Sequence, residues 1–123
     1  MAEEKKKRFT KRSLPEFVRL AVEASLGKKA EEPCVLDLRE LCSFTDFFLV
    51  MHGNSSRQNV AVAEAVEAAL KPAGFRPLSV EGRESAEWVL LDYGSLVVHV
   101  FSRAAREHYA LEKLWGDAPR LDF

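Results

Sequence analysis

The segment 81–101, EGRESAEWVLLDYGSLVVHVF, decides the fold. It begins polar and acidic and then becomes two apolar runs joined by DYGS. Short apolar runs bounded by turn residues read as strands. Gly94 can take the positive φ that a tight corner needs, so residues 88–92 and 96–101 are expected to pair as an antiparallel hairpin. Alternation along the second run puts Val97, His99 and Phe101 on one face and Leu96, Val98 and Val100 on the other.

Working outward, CVLDL (34–38) reads as a strand and RELCSFTD (39–46) as a connection. DFFLVMHG (46–53) is apolar on both faces, which places it inside the sheet. RPLSVEG (76–82) is an edge-like strand, because Pro77 lacks a ladder donor. Three helices are expected. The first opens at SLPE, with Ser13 as N-cap and Glu16 in the capping-box position. It buries Phe17, Leu20, Ala21 and Ala24 and stops at Gly27, before a charged loop KKAEEP (28–33). The second is capped by Ser55, with Gln58 reaching back, and buries Val62, Val66, Ala69 and Leu70 until Pro72 and Gly74 end it. The third is capped by Ser102 and carries Leu111, Leu114 and Trp115 on one face. The resulting fold class is α+β, with a single mixed sheet of about five strands flanked by helices. Its parts are a basic arm (1–12), a folded domain (13–119) and a tail (120–123).

A chain of 123 residues is expected to form one domain with a core of its own. The longest apolar run, residues 47–51, is far short of the about 20 residues that span a bilayer. MAEEKKKR lacks the apolar stretch of a secretory signal, so a cytoplasmic protein is the expectation. Cys34 and Cys42 have neither metal-ligand spacing nor a nearby histidine and read as buried, reduced thiols. Residues 1–12 carry six basic and two acidic side chains, so a net charge of -1 leaves -5 on the rest. A basic arm, expected to be solvated and disordered, is therefore joined to an acidic body. Such a body suits a basic protein partner better than nucleic acid, whose phosphates must be neutralised by lysine and arginine.

Catalytic patterns are sparse. There is no phosphate loop and no Gly-x-Gly-x-x-Gly. The corner Ser55, Ser56, Arg57 follows a strand and opens a helix, as an anion site would, but capping accounts for both serines and Gln58. Magnesium-assisted transfer needs clustered carboxylates, whereas Asp37, Asp46 and Asp92 form no tight pair. An enzyme using Asp37 or Asp92 with the Ser55 corner is one alternative, and an RNA-binding assembly factor working through the basic arm is another. His99 reads as a hydrogen-bonded structural histidine or as a residue shaping a contact surface. The hairpin corner is better suited to docking. Trp88 and Tyr93 flank it, Asp92 lies between them, and Glu81, Glu84 and Glu87 surround it with only Arg83 opposing; aromatics of this kind anchor protein interfaces. Tyr109 lies about 200° from Leu111 on an ideal helix, exposed beside Arg106 and Lys113. No metal or cofactor site is read.

The stretches FTDFFLVMHGNSSRQ, PLSVEG, EWVLLDYGSLVVHVF and YALEKLWGDAP resemble, in order and spacing, the ribosomal silencing factor family, also called RsfS or Iojap. The resemblance spans roughly residues 14–119. It implies a nucleotidyltransferase-like fold without the paired catalytic carboxylates, in keeping with the missing Asp-x-Asp. It also implies binding to the fourteenth protein of the large ribosomal subunit, on the face that meets the small subunit. Joining of the subunits is thereby blocked and translation lowered when nutrients are scarce. Family members are linked to late large-subunit assembly as well. By this resemblance the contact residues are Trp88, Asp92, Tyr93 and Tyr109, with Glu81 and Lys113 beside them. Neither enzymatic activity nor a cofactor is implied, and a monomer or a homodimer is compatible. Pro72 and His108 depart from the family pattern, and the basic arm, which could touch rRNA, lies outside it.

Overall fold

The computed structural model describes residues 9–123. At its centre lies β2 (Phe47–Gly53), buried at every position. It runs antiparallel to β1 (Glu31–Asp37) and parallel to β5 (Leu96–Ser102). A strand apolar on both sides is stable only where both faces of the sheet are covered, and helices cover both here. The hairpin forms as expected. β4 (Trp88–Asp92) is antiparallel to β5, Gly94 sits at φ 83°, and Tyr93 N–H donates to the Leu96 carbonyl at 2.8 Å. The short strand β3 (Ser79–Glu81) pairs with β4 and, among the described residues, forms one edge.

Among the described residues the sheet has six strands, in the order β3-β4-β5-β2-β1-β6. The sixth corrects the expected tail. β6 (Arg120–Asp122) pairs antiparallel with Cys34, Val35 and Leu36, and Phe123 N–H donates to the Pro33 carbonyl at 2.9 Å. Leu121 and Phe123 pack on the core and hold the segment down. Three residues alternating Arg-Leu-Asp carry too short a pattern to announce a strand. Glu31 to Pro33, expected in a charged loop, belong to β1, whose pairing with β2 is irregular between Glu31 and Cys34.

α1 (Glu16–Gly27) and α2 (Ser56–Leu70) cover one face, over a core that includes Val18, Val22, Leu49, Met51, Val62, Val66 and Val98. Ser13 does not cap α1. It closes a reciprocal box with Thr10 around a 3-10 turn, Lys11–Ser13, while Pro15 precedes the helix. Phe9 and Leu14 on either side of that turn are buried, so the chain is anchored before the helix begins. The arm is thus ordered from Phe9 onward, and residues 1–8 lie outside the described residues. The fully buried line of α1 is Val18, Ala21, Val22 and Ser25, with Phe17, Leu20 and Ala24 beside it. α2 is capped by Ser55, whose hydroxyl accepts from Gln58 N–H at 3.0 Å. Gln58 reaches back as expected, its Oε1 accepting from Asn54 N–H at 2.7 Å.

The opposite face is covered by α3 (Arg103–Tyr109) and α4 (Leu111–Leu114). A single helix was expected there. The chain breaks at Ala110, which adopts a left-handed conformation at φ 46° and ψ 52°. The bend lets Leu111 and Trp115 pack against the second core, around Leu36, Phe48, Val50, Val97 and Phe101. Leu114, expected on the same apolar face, is 72% exposed. No glycine marks the break, so nothing local in the sequence signals it.

Candidate functional site

Register assembles the site. Trp88 lies opposite Phe101, Leu90 opposite His99, and Asp92 opposite Val97. Glu81 lies opposite Leu90. Cross-strand partners point to the same side, so Glu81, Trp88, Leu90, Asp92 and His99 share the face that α3 covers. α3 rests on β5 and β2. The β3–β4 half of this face is left more open, with Trp88 and Leu90 half-buried and Glu81 exposed.

Trp88 is the centre of an aromatic cluster. Its ring lies 4.5 Å from that of Tyr109 and 4.9 Å from that of Phe101. Tyr109, the last residue of α3, is 49% exposed, and His108 meets its ring edge-on at 5.0 Å. The Trp88 indole Nε1–H donates to His99 Nδ1 at 3.0 Å. His99 is buried, and burial pushes its pKa down to about 3, so the imidazole is neutral at physiological pH. His99 is thus a hydrogen-bonded histidine of the interior, and its partner is the half-buried Trp88.

The acidic residues take different positions. Asp92 Oδ1 accepts from Gly94 N–H at 2.8 Å, which ties its carboxylate to the hairpin corner. Glu87 accepts from the Ser102 hydroxyl at 3.0 Å. Glu81 and Glu84 are exposed. Arg83, the cation expected to oppose them, instead pairs with Glu67 on α2. Gly82 folds this loop against β4. It sits at φ 83°, and a Cβ there would lie 1.9 Å from the Trp88 carbonyl oxygen.

Two expected members are placed elsewhere. Tyr93 follows Asp92, so alternation sends it to the other side of the sheet, where it packs half-buried on the α1–α2 core. Its hydroxyl is buried with no hydrogen-bond partner among the described residues, and burial raises its pKa. Trp88 and Tyr93 flank the corner in sequence but do not form one patch. Arg106, expected as an exposed cation beside Tyr109, is buried. Its guanidinium donates to Glu112 at 2.9 Å and to the Glu31 carbonyl at 3.2 Å. It also lies 3.0 Å from His52 Nδ1. A guanidinium only donates, so Nδ1 accepts and the His52 proton is on Nε2. That nitrogen is 3.1 Å from Glu31 Oε2, without the alignment of a hydrogen bond. This network sits beside a cleft of about 220 Å³ and clamps α3 onto β1 and β2. Sequence reading missed it, since its members come from four separate segments. Lys113 is exposed on α4.

The aspartates of the enzymatic alternative have other partners. Asp37 is held by Arg39 at 2.7 Å, Asp92 serves the corner, and Asp46 is exposed. Among the described residues, no three of His, Cys, Asp or Glu gather as a metal site would require. No helix among them is long and apolar enough to cross a membrane. Cys34 is buried, with its thiol pushed up to about 11, and Cys42 is half-buried.

Residues 11–123 match the family described as ribosomal silencing factor during starvation. The chain is 44% identical to the ribosomal silencing factor RsfS of Halalkalibacterium halodurans over 107 residues, covering 87% of this chain and 92% of that one. A crystal structure of a Chromobacterium violaceum protein superposes with a TM-score of 0.80 at 42% identity, over 82% of this chain and 84% of that one. The mouse mitochondrial assembly of ribosomal large subunit protein 1 is 31% identical over 91 residues, covering 72% of this chain and 40% of its own.

Proposed function

The chain belongs to the ribosomal silencing factor family, and from that premise we propose that it docks on the large ribosomal subunit, through that subunit's fourteenth protein, and sterically blocks joining of the small subunit. The observation that carries the reading is the half-exposed Trp88–Tyr109 pair on the more open half of a sheet face, rimmed by carboxylates. Interface anchors are aromatic residues of this kind, part buried in their own protein and completed by the partner. Glu81, Glu84 and Asp92 give the rim a negative field suited to a basic partner. Blocking requires no bond chemistry. It needs only a footprint of about 800 Å² per partner, a size open to a domain of this kind. Trp88, Tyr109, Asp92 and Glu81 are the proposed contacts. Lys113 is exposed on α4, and Tyr93 sits behind this face, on the α1–α2 core. The protein would act in the cytoplasm alongside ribosomes.

Gradient co-sedimentation tests this. The protein is expected to travel with free large subunits and to be absent from joined ribosomes. Trp88→Ala should weaken subunit binding by about 2 kcal/mol, roughly thirtyfold, while the fold persists. Unchanged binding of a folded Trp88→Ala, Tyr109→Ala double variant would overturn the site. A role in large-subunit assembly is a second reading, favoured by the name of the mouse relative. It predicts that precursor particles lacking late proteins accumulate in cells without this protein.

A further inference from the structure

Trp88 sits where the sheet face opens, and a half-buried tryptophan in such a place has more than one rotamer available. Its indole nevertheless has a fixed partner. His99 lies on β5, two pairs along the ladder from Phe101, the residue opposite Trp88. The two side chains thus meet diagonally on one face, Nε1 to Nδ1 at 3.0 Å. An indole N–H only donates, so Nδ1 accepts and the imidazole proton is on Nε2. The imidazole is itself locked. It is 3% exposed, packed edge-on against Phe48 at 4.4 Å and stacked with Phe101 at 6.0 Å. Nε2 has no hydrogen-bond partner among the described residues. Leaving a buried imidazole N–H without a partner is costly, and an apolar residue of that size would fill the space without this cost. The bond to Trp88 is the one polar function the ring performs here. On its far side Trp88 carries Tyr109, so the orientation of the indole also sets where the tyrosine ring lies.

We propose that His99 is a positioning residue of the docking face: from inside the sheet it holds the Trp88 indole, and through it Tyr109, in the orientation that a protein partner meets. This rests on the docking reading above. Ordering one rotamer-rich side chain costs a partner about two- to tenfold in affinity, and a preset anchor avoids that loss.

The test compares two amides in the full-length protein. Asn places an oxygen acceptor where Nδ1 stands, whereas the longer Gln reaches toward the Nε2 position. Both are polar and cost the core comparably. His99→Asn is expected to bind large subunits within about threefold of the parent. His99→Gln should bind about five- to tenfold more weakly at similar thermal stability. The indole N–H signals of the two tryptophans, assigned with Trp115→Phe, give a readout independent of the ribosome. Exchange of the Trp88 N–H with solvent should be slow in the parent and in His99→Asn, and fast in His99→Gln. If both variants bind like the parent, or if Trp88 N–H exchange does not distinguish them, the proposal is overturned. Parent-like binding by Trp88→Ala would instead remove the docking reading, and the positioning role with it, even if the exchange rates followed the expected pattern.

Discussion

His99 also leaves a mark on stability that can be measured without a partner. Its folded pKa lies near 3, against an ordinary value of 6.5. As pH falls below 6.5 the unfolded chain takes up a proton that the folded chain refuses. Stability from this source is full above pH 6.5 and declines from there toward pH 3, by up to about 1.4 kcal/mol per unit. Denaturation of the parent and of His99→Asn at pH 7.5, 6 and 5 should therefore converge, the parent losing roughly 2 kcal/mol more than the variant by pH 5. Parallel profiles would show that the ring is not shielded. All other groups are common to both proteins and cancel. The thiols make a simpler case. Cys34 is fully buried with a thiol near pKa 11, so an alkylating reagent at neutral pH should label Cys42 and spare Cys34 until the protein unfolds.

Among the elements, the hairpin and the central strand were legible in the residues because their signals are local. An apolar run with Gly94 at its corner leaves few alternatives, and a strand apolar on both faces has to lie inside. What could not be read depended on distant partners. β6 exists because β1 offers it an edge, α3 ends at Ala110 because Leu111 and Trp115 reach for the second core, and Arg106 turns inward because His52, Glu31 and Glu112 await it. The proposed docking residues were only partly legible for the same reason. Alternation from Asp92 to Tyr93 assigns those two to opposite sides, and the pairing of Trp88 with Tyr109 arises only once α3 is laid on the sheet. The Arg106 clamp can be broken with Arg106→Met. This strips the donor from Glu112, His52 Nδ1 and the Glu31 carbonyl, and should cost about 2 to 4 kcal/mol in denaturant unfolding. Loss of stability within experimental error would mean that the network adds nothing to holding α3. Gly82→Ala is expected to be destabilising by more than roughly 1 kcal/mol, since the new methyl meets the Trp88 carbonyl and the φ of 83° disfavours any side chain.

For the molecule as a whole, the charge distribution separates the two ways in which it could hold a ribosome. Six of the eight charges in residues 1–12 are basic, while the remainder is acidic by five. If the acidic face meets a basic protein surface, its charges act mainly on the rate of encounter, and that effect is screened within about 8 Å at physiological salt. If the arm binds rRNA, each neutralised phosphate releases counterions, and affinity falls steeply as salt rises. Removing residues 2–8 takes away Lys5, Lys6, Lys7 and Arg8 together with Glu3 and Glu4, a net +2, and removes none of the described residues. Under protein docking, subunit affinity at 150 mM salt should change by less than about threefold on this deletion. Glu81→Lys with Glu84→Lys should slow association about tenfold at low salt, and the gap should close as salt is added. The opposite pattern, in which the deletion flattens the salt dependence and lowers affinity by orders of magnitude while the charge reversals do nothing, would move the contact from the sheet face to the arm.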